Sequence, residues 1–165
     1  MNVLDMGKDS LEQIDKYNET VQRAELRHVL LISSSFEMDP NYFEKAEEER
    51  SLQRGEDVKS FTLTEDGCGA AAEVEFYAKA AAEDEVLFSI VCKYVVYFSF
   101  DEPVEQETAQ KVILRVGRFT AYPFFRQHVA QISWESGLDI PMLPIIKQTH
   151  EFKAAGDDLL NSPRD

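Results

Sequence analysis

The chain is poor in the residues that most enzymes and nucleic-acid binders rely on. It has seven glycines in 165 residues. The pair around Cys68 stands alone in a turn, so no glycine-rich loop for phosphate is expected. The two cysteines, Cys68 and Cys92, make no disulfide framework, and Cys92 lies in an apolar run where a buried thiol is the default. The three histidines, His28, His128 and His150, are not spaced as metal ligands with one another or with the cysteines. No metal, cofactor or catalytic role is therefore expected, and Ser33-Ser34-Ser35 lacks the glycines of a nucleophile elbow. Bases are also scarce: 17 Lys and Arg against 31 Asp and Glu give a net charge of -14. Such a chain cannot supply the basic footprint that nucleic acid requires, and it disfavours anionic membranes. Its charge fits solubility and an affinity for basic partners, including basic unfolded polypeptides. No apolar run approaches the length of a membrane span. The start, MNVLDMGKDSLEQIDKY, has no basic region followed by an apolar one, so a cytoplasmic protein without a signal peptide is expected.

What is present is a hydrophobic content of 44%, enough to bury a core in one domain. Residues 1–20 read as a polar segment, 21–150 as the single domain and 151–165 as a polar tail, with a short helix near Asp157 to Leu160. Leu26, Leu30, Ile32 and Phe36 mark a long strand ended by Pro40. A charged connection follows, with a helical turn around Phe43 to Arg50. Val58 to Thr64 and Glu73 to Ala80 alternate as strands, separated by the turn signal Glu65-Asp66-Gly67. After a second turn at Glu83-Asp84-Glu85, Val86 to Phe100 is apolar on both faces and reads as a central strand. An α+β fold follows: a four-stranded antiparallel meander packed by a long C-terminal helix.

In the last third, Val104, Ala109, Val112, Ile113 and Val116 recur at helical spacing, and Gly117 interrupts them. Pro123 suits a helix start and Gly137 a helix stop. Between them, Phe125, Val129 and Ile132 line one face, with Phe124 and Trp134 beside it. This set serves either the core or an oligomer contact. Pro141 and Pro144 hold LDIPMLPII extended. So apolar an extension is either ordinary core or one wall of a groove for apolar peptide.

The order of these pieces resembles the SecB family of export chaperones, from about Leu26 to Ile146. The strand ending Ser35-Phe36-Glu37, with Pro40 and Phe43 after it, resembles the family's first strand and crossover loop. Tyr97-Phe98-Ser99-Phe100 is similar to its apolar-Phe-Ser-apolar strand ending. Tyr122-Pro123-Phe124-Phe125-Arg126, then Ser136-Gly137 and Pro141-Met142-Leu143-Pro144, resembles its Phe-Pro-Tyr-Ala-Arg helix start, Arg-Gly stop and Phe-Pro-x-Leu-x-Leu-x-Pro extension.

The resemblance implies an ATP-independent holdase without enzymatic activity. It implies a homotetramer, a dimer of dimers with helices sandwiched between sheets. It implies unfolded polypeptide clients lying in grooves at Tyr42, Phe43, Phe61, Leu63, Leu138, Ile140, Met142, Leu143, Ile145 and Ile146. Export members dock the SecA motor on an acidic sheet surface. Here Glu37 matches an acidic position, whereas Ser33 and Val91 stand where the family has a first-strand aspartate and a fourth-strand glutamate. Three expectations stay open: a general export chaperone, a dedicated chaperone of an antitoxin in a toxin–antitoxin system, and an adaptor for one folded partner.

Overall fold

A computed structural model of the chain describes residues 14–83 and 85–145. Asp84, Ile146, the tail 151–165 and the short helix expected near Asp157 lie outside the described residues. A helix α1 covers 14–23. Strands β1 (Glu25–Met38), β2 (Ser51–Leu63), β3 (Gly69–Ala82) and β4 (Glu85–Ser99) precede helix α2 (Gln106–Ser136). The expected four-stranded antiparallel sheet and long C-terminal helix are both present. α2 has 31 residues and β3 has 14, so helix and strand each run about 46 Å and the helix can cover the sheet from end to end.

The strand order is β1-β4-β3-β2. Thus β2, β3 and β4 form the meander, while β1 joins beyond β4 and not beside β2. The cause is the connection between β1 and β2, which crosses the end of the sheet. Asp39 N–H donates to Leu87 O at 2.8 Å, and Tyr42 packs on Phe88 with ring centroids 5.8 Å apart. Two 3-10 turns, Pro40–Glu44 and Glu47–Glu49, shape this crossing.

Period-two alternation sets the core. Val74, Phe76 and Ala78 of β3, with Ile90, Cys92, Tyr94 and Val96 of β4, point to α2 and are buried. From α2, Ala109, Val112, Ile113, Ala121, Phe125 and Val129 meet them. Phe125 stacks on Phe76 at 5.3 Å, the kind of aromatic contact worth about 0.5–1.5 kcal/mol beyond its buried area. Tyr17 and Val21 of α1 pack against the same cluster. The opposite sheet face is a charge ladder, with Lys93 3.8 Å from Glu73 and 3.5 Å from Glu75.

Two helix expectations need correction: α2 neither breaks at Gly117 nor starts at Pro123. Gly117 is buried, and a Cβ there would stand 2.8 Å from Val96 Cγ2; its role is close approach of helix to sheet. Pro123 sits inside the helix on its exposed side. An internal proline costs about 3 kcal/mol, which the burial of Ala121, Tyr122, Phe125 and Val129 around it offsets. β2 and β3 also begin earlier than the expected Val58 and Glu73, because polar residues on an edge strand and small residues on a central one carry no legible alternation.

Candidate binding surface

The segment after α2 is built by a stop and a set of clamps. Gly137 adopts the left-handed conformation, φ 69, and ends the helix. Pro141 and Pro144 then keep the chain extended and remove two backbone donors. Side chains of α2 secure what remains. Ser133 Oγ donates to Leu138 O at 2.6 Å and accepts from Ile140 N–H at 3.2 Å. Arg126 Nε donates to Leu143 O at 2.6 Å. Tyr122 Oη donates to Pro144 O at 2.8 Å. The extension therefore runs back along α2 with a fixed register.

That register sorts its side chains. Leu138 and Leu143 are buried and Ile140 is half-buried. Met142 and Ile145 point away, 76% and 70% exposed. On the crossing between β1 and β2, Tyr42 is buried and Phe43 is 57% exposed, the two rings meeting edge-on at 5.2 Å. Phe61 and Leu63 are half-buried on the α2 face of β2, opposite Ala72 and Ala70. Tyr42 instead meets Phe88, and Phe88 pairs with Ala80, the partner of Leu52. Tyr42 and Phe43 on one side and Phe61 and Leu63 on the other thus sit toward opposite ends of β2, about 30–36 Å apart along the strand. Ile146 lies outside the described residues.

α2 also divides its apolar residues between two faces. Phe125 and Val129 are core and Ile132 is half-buried. Phe124 is 49% exposed and Trp134 is 88% exposed. Trp134 edges a shallow depression of about 480 Å³ with Ala130, Ser133, Gly137, Leu138 and Asp139. Strand β1, at the sheet edge, exposes Leu26, Leu30, Leu31, Ile32 and Phe36. No acidic residue occurs from Leu26 to Phe36 or from Thr108 to Trp134, in a chain that has 31 of them. Exposed apolar area and absence of acid coincide on these two elements.

Polar groups at the helix–sheet seam are satisfied locally. His128 Nε2 and Ser34 Oγ share a 2.7 Å hydrogen bond that ties α2 to β1, and burial pushes the Cys92 thiol pKa up. Glu56 of β2 accepts from Arg118 at 3.0 Å. Burial raises the Glu56 carboxyl above its ordinary value, outweighing the arginine that lowers it. Glu37 pairs with Ser89 on the face away from α2, while Ser33 pairs with Lys93 and Ser35 with Val91. Among the described residues, no group of three His, Cys, Asp or Glu side chains could hold a metal ion, and no helix is long and apolar enough to cross a membrane.

Sequence reasoning takes in Tyr122 and Arg126 only as part of a helix-start motif and does not single out Ser133; it reads none of them as a clamp on the extension. The clamps are ordinary helix residues until the extension folds back on them.

No protein-family model and no curated protein sequence matches the chain. Among solved structures, the Rv1957 SecB-like chaperone of Mycobacterium tuberculosis, in complex with a ChAD peptide from the Rv1956 HigA1 antitoxin, superposes with a TM-score of 0.65. The match covers 82% of this chain and 99% of that one at 13% identity. A protein of unknown function from Streptococcus agalactiae aligns at a TM-score of 0.33 and 9% identity, over 75% of this chain and 97% of that one; so distant a likeness carries no argument. Four antiparallel strands in the order β1-β4-β3-β2, crossed by one long helix, give this divergent chain the SecB-like fold.

Proposed function

We propose that the protein is an ATP-independent holdase that binds extended, non-native polypeptide through the apolar residues Phe43, Met142 and Ile145. The observation that carries this reading is the clamped extension. It spends hydrogen bonds from Ser133, Arg126 and Tyr122 to present Met142 and Ile145 to solvent. Burial of each such side chain by a client contributes about 1.5–3 kcal/mol, and Met142 adapts to irregular partners. Contacts of this kind hold an unfolded chain without reading its sequence. Nothing in the reading calls for catalysis or a cofactor.

The likeness to a SecB-like chaperone seen with an antitoxin peptide supports a dedicated client, an antitoxin, ahead of general export. The outer sheet face supports the same choice. At the two positions where the family resemblance would place a first-strand aspartate and a fourth-strand glutamate stand Ser33 and Val91; Glu37 keeps its acid, and the nearby Glu73 and Glu75 are engaged by Lys93. SecA docking is accordingly the weaker reading.

Assembly follows from β1 and α2. Their exposed Leu30, Leu31, Ile32, Phe124 and Trp134 are apolar surface of the kind that oligomer contacts cover, and a homotetramer with helices sandwiched between sheets, working in the cytoplasm, would cover them. Light scattering on the full chain, alone and with a chemically unfolded client, tests the whole reading. The expected result is a mass near four times 18.9 kDa and a soluble complex. A monomer that lets the client aggregate would overturn it and favour an adaptor for a folded partner.

A further inference from the structure

In a chain with nearly twice as many acids as bases, cations seldom stand alone. Lys16, Arg23, Arg27, Lys45, Lys59, Lys93, Lys111 and Arg118 all have carboxylate partners. Arg50, Lys79 and Arg115 lie over the rings of Tyr42, Tyr77 and Tyr17. Among the described residues, this leaves Arg54 and Arg126 with neither carboxylate nor ring. They flank one place. Tyr122 stands 5.8 Å from Phe76, which pairs with Glu56 of β2. Arg54, two residues before Glu56, projects from the same strand face opposite Ala78. Arg126 is one turn beyond Tyr122 on α2 and grips Leu143. Glu56 does not neutralise the pair, because Arg118 holds it. Charge from Arg54 and Arg126 reaches the Tyr122 hydroxyl, which supports this placement.

We infer that Arg54 and Arg126 form an anion-reading subsite beside the apolar extension, and that it takes an acidic side chain of an extended apolar client segment. The inference rests on the holdase reading and adds a selectivity to it. The net charge of -14 draws basic chains from a distance, whereas this local pair selects at contact. Two guanidiniums offer planar donors suited to one carboxylate, and the buried Tyr122 and Leu143 shield one side of the place while Arg54 faces solvent.

The test is fluorescence anisotropy of labelled peptides with the full-length protein. The peptides share one set of Leu and Phe residues and differ at a central Asp or Asn. The Asp peptide should bind about tenfold more tightly, as one charge-assisted hydrogen-bonded contact implies. That preference should shrink with salt and vanish in Arg54→Gln, whose exposed edge-strand position tolerates substitution. Equal affinity for both peptides would overturn the subsite and leave the holdase reading intact. Binding of neither would overturn the holdase reading itself. A preference that emerges only when Glu151, Asp157 and Asp158 are changed to their amides would assign the arginines to the chain's own end and overturn the client assignment. A change of oligomer mass in Arg54→Gln, with peptide affinity unaltered, would place the pair between copies and overturn it equally.

Discussion

Substituting Gly117 by alanine sets two effects of known size against each other. Alanine in a helix interior is favoured over glycine by about 1 kcal/mol, so an isolated α2 would gain. In the folded chain the new Cβ would lie 2.8 Å from Val96 Cγ2, where carbon atoms prefer about 3.5–4.0 Å. Val96 cannot retreat: it is fully buried on β4, between Ala72 and Val29. The helix must lift instead, and that loosens the nearby stack of Phe125 on Phe76. Overpacking of this kind costs about 1–3 kcal/mol, so Gly117→Ala should lower stability by about 1 kcal/mol. In a Val96→Ala background the clash is gone and the same change should stabilise by about 1 kcal/mol. Urea unfolding followed by far-UV circular dichroism at fixed protein concentration gives both numbers. The cycle should show a coupling of about 2 kcal/mol. Stabilisation of the parent chain, or an equal effect in both backgrounds, would refute the close-approach argument.

Three further outcomes follow from the same packing. Phe125→Ala should cost about 3–5 kcal/mol at any protein concentration, whereas Trp134→Ala should lower the light-scattering mass and cost urea stability only as far as association is lost, an effect that varies with protein concentration. Glu56→Gln bears on pH. Its carboxyl is held above the ordinary 4.5 in the folded state, so the fold binds that proton more tightly than the unfolded chain. The stability it contributes is full below 4.5 and is lost as pH rises through the raised value. Urea midpoints from about pH 4 to 7 should therefore fall for the parent chain relative to Glu56→Gln, and the opposite slope would refute the burial argument. Met142→Asp with Ile145→Asp should spare the melting temperature and weaken capture of an unfolded client, while Leu143→Asp should unfold the extension.

The sequence reveals most where a strand is apolar throughout. Val86 to Phe100 reads as a central strand, and β4 does lie between β1 and β3 and ends at Ser99, although only its α2 face is fully buried. β2 is legible only from Val58, since its first residues, Ser51 to Asp57, include charges that water or Arg118 accommodates. α2 misleads at Gly117 and Pro123 because local propensity loses to contacts made across the sheet. In the extension the residue types are visible but their directions are not. Leu143 turns in and Met142 out because Arg126 and Tyr122 hold the neighbouring carbonyls, and that contact joins residues 17 and 22 positions apart. Arg54 is set opposite Ala78 only by the β2–β3 pairing, which no window along the chain contains.

The distribution of acid leads to a last prediction, about assembly. A chain of charge -14 repels its own copies, and the repulsion reaches about 8–10 Å at ordinary ionic strength. Association is then favoured only through a surface that carries no acid of its own. The stretches Leu26 to Phe36 and Thr108 to Trp134 meet that condition, and they carry the exposed Leu30, Leu31, Ile32, Phe124 and Trp134. The described ion pairs of the chain, such as Lys93 with Glu75 and Lys59 with Glu75, lie mainly elsewhere. An interface made from β1 and α2 is thus apolar at its centre, with the repulsion coming from the remainder of each copy. Salt screens that repulsion and leaves apolar burial in place. The mass measured by light scattering should hold or rise as salt goes from about 0.02 to 0.5 M, and Trp134→Glu should lower it most at low salt. A mass that falls with added salt would mean that ion pairs hold the copies together, and that the acid-free faces are covered by something other than one another.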